Sequence, residues 1–130
     1  MLMTALGLLA VEPKVTLVYG SWNPGDGGPV ATRTNPLKQP FGVDFDAQGN
    51  MFIVELAGGR VHKLTPENIF TTIAGDGSKS YKGDGGPAKA ATFNGMHNVA
   101  VTPAGDVYIS DSWNFCVRKI DTRGMASTVV

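Results

Sequence analysis

Short apolar runs separated by turn residues organise this chain. They cover residues 42–46, 51–55, 60–64 and 69–74, then 98–102, 107–111, 116–120 and 125–130. Between them stand Gln48-Gly49-Asn50, Ala57-Gly58-Gly59, Pro66-Glu67-Asn68, Ala104-Gly105-Asp106 and Arg123-Gly124. Runs of this length read as strands, and turns this tight force antiparallel neighbours, so the pattern predicts two four-stranded up-and-down sheets. Within 51–54 and 107–109 the run is nearly continuous instead of alternating. Such strands are covered on both faces, which a lone surface sheet would not achieve.

The two sheets are one pattern written twice. Residues 42–55 align without a gap on residues 98–111, so that Val43 recurs as Val99, 56 positions on. The register persists through Val61 and Val117, Lys63 and Lys119, Leu64 and Ile120, Thr72 and Thr128. Gly25-Asp26-Gly27-Gly28-Pro29 likewise returns as Gly83-Asp84-Gly85-Gly86-Pro87. A repeat of this length marks stacked units, each burying its neighbour's face. Four-stranded sheets stacked face to face are the blades of a β-propeller, an all-β architecture.

Composition narrows the function. The chain has 130 residues, with 11 basic and 11 acidic side chains, and therefore no net charge. Nothing here favours nucleic acid or an anionic membrane surface. Seventeen Gly and eight Pro cluster between the apolar runs, where they punctuate strands. The single cysteine, Cys116, precludes an internal disulfide and reads as a small packing residue. Residues 1–11 are apolar and precede Glu12-Pro13. That stretch is too short to span a bilayer and suits a secretory signal remnant or an apolar arm, which points to an extracellular or periplasmic setting.

Asp111-Ser112-Trp113-Asn114-Phe115-Cys116-Val117-Arg118-Lys119-Ile120, after Gly105-Asp106-Val107-Tyr108-Ile109, resembles an NHL repeat. So does the linker Gly83-Asp84-Gly85-Gly86-Pro87-Ala88 with Ala91-Thr92-Phe93-Asn94-Gly95, of the type found in secreted bacterial NHL propellers. The chain departs from the family at the Asn-His pair, which is Asn114-Phe115 in one unit and Gly58-Gly59 in the other, and at Glu55, which replaces the usual aspartate. The resemblance implies a six-bladed ring, most often a protein- or ligand-binding scaffold, less often a metal-dependent lyase or lactonase-like hydrolase. Residues 12–130 then form a partial propeller, with blade one at 42–74 and blade two at 98–130. Residues 15–20 match 70–75 and form an additional outer strand. In a whole ring such a strand completes the last blade, so the expectation is the N-terminal part of a longer propeller.

Strand direction places residues 20–40, 55–59, 75–97 and 111–115 on one side of the disc. The ligand-binding candidates there are His97, Asp111, Trp113, Asn114, Asp84, Asp26, Glu55 and Trp22. Asp26 and Asp84 could be oxygen ligands for a hard cation, but their place in a recurring turn favours carboxylates accepting backbone N–H bonds. Residues 87–93 open with Pro and are Ala-rich, predicting a single helical turn anchored by Phe93. His97 reads as a hydrogen-bonded residue at a strand start, and His62 lies in a third strand. Trp113 suits either stacking on a sugar or peptide or packing across to another blade. No nucleophile–base pair and no metal set is legible, so neither a catalytic residue nor a cofactor is expected. The expected function is a non-catalytic scaffold taking a protein or small ligand on the loop face; the alternative is part of a secreted metal-dependent propeller enzyme. Each outer blade face should carry about four apolar side chains, and the burial forfeited there rivals the ~5–15 kcal/mol stability of a domain. The expectation is a homo-oligomer completing a ring, or aggregation.

Overall fold

The computed structural model describes residues 37–130. The expected outer strand at 15–20, the apolar stretch 1–11, Trp22 and Asp26 lie outside the described residues.

The first sheet runs in the order β1 (Pro40–Phe45), β2 (Met51–Glu55), β3 (Val61–Leu64) and β4 (Phe70–Ala74). The second repeats it with β5 (Met96–Val101), β6 (Val107–Asp111), β7 (Cys116–Ile120) and β8 (Ala126–Thr128). All neighbours are antiparallel. The inner strands β1 and β5 begin two residues before their apolar pattern does. A bulge explains this in both: Pro40 pairs with Glu55 and Met96 with Asp111 before the register shifts. An extra residue there breaks the alternation that pattern reading relies on.

The sheets pack face to face around one core. Phe52, Val54, Val61 and Ala74 from the first meet Val99, Val107, Ile109, Ile120 and Ala126 from the second. The connection supplies Ala88, Ala91 and Phe93 to the same core. It does so through one 3-10 turn over Ala88–Ala90, and Phe93 is fully buried, as the Pro-Ala-rich segment predicted. Burying such a ring contributes ~1.5–3 kcal/mol. Met51–Glu55 is covered on both faces from Phe52 onward, whereas Tyr108 in β6 is only half-buried.

Two details set how the sheets approach. Asp44 Oδ2 accepts the Val101 N–H at 2.7 Å, joining β1 to β5. Gly42 lies so close to the second sheet that a Cβ there would stand 2.8 Å from Asn98 Cα and 2.9 Å from His97 O. Both obstacles are backbone and cannot rotate away. Gly42→Ala is therefore expected to cost about 1–3 kcal/mol, as overpacking does, and to lower the melting temperature of the chain. An unchanged calorimetric melt would show that β1 can retreat freely.

The outward face of the second blade differs from the expected apolar surface. Asn98, Ala100 and Ser110 stand where blade one has Gly42, Asp44 and Val54. Together with Tyr108 and Val117 they line a shallow cleft. Val99 and Ile109, also at the cleft, are themselves buried, so Tyr108 and Val117 are the large groups this face presents where four apolar ones were expected. On blade one, by contrast, Phe41, Val43 and Phe45 are 60%, 52% and 53% exposed.

Candidate functional site

The last residue of each second strand is an acid, and it does the same structural task in both blades. Asp111 Oδ1 accepts the Asn94 N–H at 2.6 Å, and Glu55 Oε1 accepts the Lys38 N–H at 2.7 Å. Both bonds span 17 residues, fixing the incoming chain to the strand it will pair with. In blade two Asn114 Nδ2 adds a bond to Asp111 Oδ2 at 2.8 Å and another to Ser80 O at 3.0 Å. Burial pushes the Asp111 carboxyl above the ordinary range, against the pull of Asn114, Asn94 and Arg118. Asp111 and Asn114 thus spend their polar atoms inside the protein.

Arg118 is the hub of blade two. Its side chain is fully buried, in β7 between half-buried Val117 and Lys119. The guanidinium meets Asp84 Oδ1 at 2.8 Å and Asp111 Oδ2 at 3.6 Å. It also donates to Lys82 O at 3.2 Å and Thr92 O at 3.3 Å. The rings of Tyr81 and Phe93 both lie 5.1 Å from its central carbon, so cation–π contact adds to the charge pairing. A long flexible linker is thereby fastened to the blade it precedes.

The linker's Gly-Asp-Gly-Gly-Pro turn is also pinned by backbone bonds to the end of the same blade. Gly85 N–H reaches Ala126 O, Ala126 N–H reaches Gly86 O, and Ala88 N–H reaches Gly124 O. Asp84 was expected to accept backbone N–H groups of its own turn. Instead its carboxylate takes Arg118 and the Tyr81 hydroxyl, the latter at 3.2 Å, because the buried guanidinium is the stronger donor. Burial raises the Asp84 pKa, yet bonds from Thr128 and the charge of Arg118 prevail and hold it below the ordinary range. A depressed carboxyl stabilises the fold fully above the unfolded pKa of ~3.9 and loses that contribution as pH falls through the folded value. Asp84→Asn should thus remove part of the acid-unfolding limb below about pH 4, read from melting temperature against pH. An acid limb identical to that of the parent chain would contradict this role.

Blade one carries the same positions with different chemistry. Gly58 replaces Asn114 and His62 replaces Arg118. His62 is buried in β3, with Nδ1 3.0 Å from Thr72 Oγ1, its ring stacked 4.7 Å from Phe70, and Nε2 3.4 Å from Glu55 Oε1. Burial pushes its pKa below the ordinary value despite the nearby carboxylate.

Of the described aromatic candidates, Trp113 is exposed and His97 half-buried. His97 stands T-shaped against Phe41 at 4.9 Å and edge-on to Trp113 at 6.4 Å. Its Nδ1 bonds Gly95 O at 2.9 Å. Trp113 is 49% exposed, lies over Gly95 of its own blade and carries the Lys79 ammonium 5.7 Å from its ring. Phe41, His97 and Trp113 thus form a contiguous aromatic strip. Among the described residues no three His, Cys, Asp or Glu side chains converge where a metal ion could be held. Burial raises the Cys116 thiol pKa, which suits a packing role over a nucleophilic one.

Reading along the chain gives no reason to single out Arg118 or the Glu55–His62 pairing. A signal exists for the first: a cation between Val117 and Ile120 in an apolar strand must be paired to be buried. For the second, antiparallel pairing sets Ile53 opposite His62, and Glu55, two residues beyond Ile53 on the same face, becomes the diagonal neighbour of His62.

Residues 93–120 match the family model of the NHL repeat. No protein of curated function matches the sequence. Among solved structures, a protein of unknown function from Bacteroides thetaiotaomicron superposes with a TM-score of 0.62 at 22% identity, covering 75% of this chain and 25% of that one. Virginiamycin B lyase from Staphylococcus aureus superposes at 0.53 and 11% identity, covering 72% of this chain and 27% of that one. A catalytically inactive form of the same lyase with quinupristin superposes at 0.56 and 13% identity, covering 75% and 29%. This chain therefore spans between a quarter and three tenths of these structures' length. Residues 93–120 are thus similar to the NHL repeat, and residues 37–130 are built as two adjacent blades of a β-propeller.

Proposed function

We propose that the chain is a non-catalytic binding scaffold, part of a larger propeller, that takes a protein segment or small ligand on its loop face. One observation carries this reading. The acids of that face, Asp84, Asp111 and Glu55, accept bonds from the protein's own donors, while exposed Phe41 and Trp113 flank half-buried His97. Apolar rings with a few polar neighbours on a rigid frame suit recognition better than turnover. The apolar stretch at 1–11 favours an extracellular or periplasmic setting.

The enzyme reading draws on His97 at the start of β5, beside the strip, and on the lyases among the structural neighbours. At 11–13% identity those neighbours speak to the fold alone. The test is a binding screen of the full chain against peptides and oligosaccharides, with a parallel assay for lyase and lactonase turnover. Trp113→Ala should weaken capture of any binder by ~30-fold, the effect of removing an aromatic anchor worth about 2 kcal/mol. Metal-dependent turnover that vanishes with His97→Ala would replace the scaffold reading with the enzymatic one.

A further inference from the structure

Blade one lacks two of the groups that hold the acid of blade two, and it lacks them in a buried place. Where Asp111 has Asn114 and Arg118, Glu55 has Gly58 and His62. Glu55 is 3% exposed and His62 5%. Glu55 Oε2 and His62 Nε2 are both buried without a hydrogen-bond partner. The Glu55 carboxylate fills the room of the missing side chain, since a Cβ on Gly58 would overlap Oε2. A carboxylate taken out of water this far needs a cation, and in blade two the guanidinium supplies it.

The geometry identifies the kind of cation. His62 Nδ1 lies 3.0 Å from Thr72 Oγ1; in the tautomer that donates this bond, Nε2 turns a lone pair toward Glu55 Oε1. The two atoms stand 3.4 Å apart. A shared proton would draw an N⁺–H···O⁻ pair in to ~2.7–2.9 Å. Two donors on one tetrahedral ion, each at ~2.0–2.1 Å, stand roughly 3.3–3.4 Å apart. Both ligands also have outer partners that fix them: Lys38 N–H on Glu55 Oε1, and Thr72 with the Phe70 ring on His62. The other cation near the pair, Arg60, is spent on carbonyls, with Nη1 on Gly58 O and Nη2 on Asp76 O.

We propose that Glu55 and His62 are the protein ligands of a divalent transition-metal ion of the Zn²⁺ class. Water completes its shell, and the ion supplies in blade one the charge that Arg118 supplies in blade two. An imidazole nitrogen and a carboxylate oxygen form a donor set for Zn²⁺ or Co²⁺, not for Ca²⁺ or Mg²⁺.

The probe is Co²⁺, titrated into the full chain at neutral pH and followed by its visible d–d absorption, with Zn²⁺ as competitor. One Co²⁺ per chain is expected, displaced by Zn²⁺. His62→Arg, which keeps a cation at the position Arg118 holds in blade two while removing the imidazole, should weaken binding by more than ~100-fold, because losing only an outer partner already costs about 10–100-fold. Thr72→Val should weaken it by roughly 10-fold. Cys116→Ser should leave the spectrum unchanged. The proposal fails if the parent chain shows no Co²⁺ band, or if His62→Arg binds as well as the parent. It also fails if the His62 and Glu55 resonances titrate together in excess Zn²⁺, which would make the pair a shared proton only.

Discussion

Arg118→Ala should be the most damaging single substitution in the described part of the chain, with a loss of about 3–5 kcal/mol, the range for removing one partner of a buried charge pair. Three losses coincide. Asp111, fully buried, keeps its charge without the guanidinium. Lys82 O and Thr92 O each lose a donor, and the rings of Tyr81 and Phe93 lose the cation between them. A domain holds only ~5–15 kcal/mol in total, so the second blade should open at room temperature or melt well below the parent. Tryptophan emission serves as a readout because Trp113 is tied into blade two, its backbone N–H bonded to Asn94 O and its ring lying over Gly95. Arg118→Ala combined with Asp111→Asn separates the causes. If stranding the buried acid dominates, the double variant is more stable than Arg118→Ala alone. If the lost linker bonds dominate, the two defects add. A melt of Arg118→Ala within 1 kcal/mol of the parent, roughly a surface-substitution effect, would remove Arg118 from its place as hub.

The strands were legible because period and punctuation agree. The apolar runs, the tight turns and the recurrence of Val43 as Val99 all point to two four-stranded sheets, and each sheet has that order. The single turn after Pro87 and the burial of Phe93 were legible for the same reason, a local composition with one cheap conformation. What lay beyond reach depends on contacts across distance. Asp84 gives no sign in sequence that its partner sits 34 residues later on another element. Asp111 and Asn114 read as ligand candidates because a polar pair in a loop looks available, yet their bonds run to Asn94 and Ser80. His62 read as one more strand residue until β3 turned it against Glu55. The outward face of blade two misled because the repeat register implies that equivalent positions keep equivalent character. Val54 to Ser110 and Asp44 to Ala100 break that rule without disturbing the strand pattern.

Self-association through β1 is the other large effect expected. β1 is an edge strand of its sheet, and its outward residues Phe41, Val43 and Phe45 are all more than half exposed. An open edge carrying an apolar stripe attracts a second chain. Covering three such side chains contributes ~1.5–3 kcal/mol each, which only partly offsets the ~4–15 kcal/mol cost of association. The contact should be weak and concentration-dependent. A closed ring of copies faces a specific obstacle. Inside the chain, β5 approaches β1 only because Gly42 has no Cβ, and the position equivalent to Gly42 on the open side of blade two is Asn98. A copy seated there at the same spacing would meet that side chain with its own backbone. Contacts that cannot close continue, so the chain should form open-ended species, not one discrete ring. Light scattering after gel filtration is expected to show a mass that rises steadily with concentration. Val43→Thr with Phe45→Glu should return the chain to a monomer by placing a charge on the stripe. Asn98→Gly should have the opposite consequence, favouring a discrete assembly by letting a second copy approach. A single sharp species of fixed stoichiometry from the parent chain, unaffected by Asn98→Gly, would show that the spacing at Gly42 does not govern how copies meet.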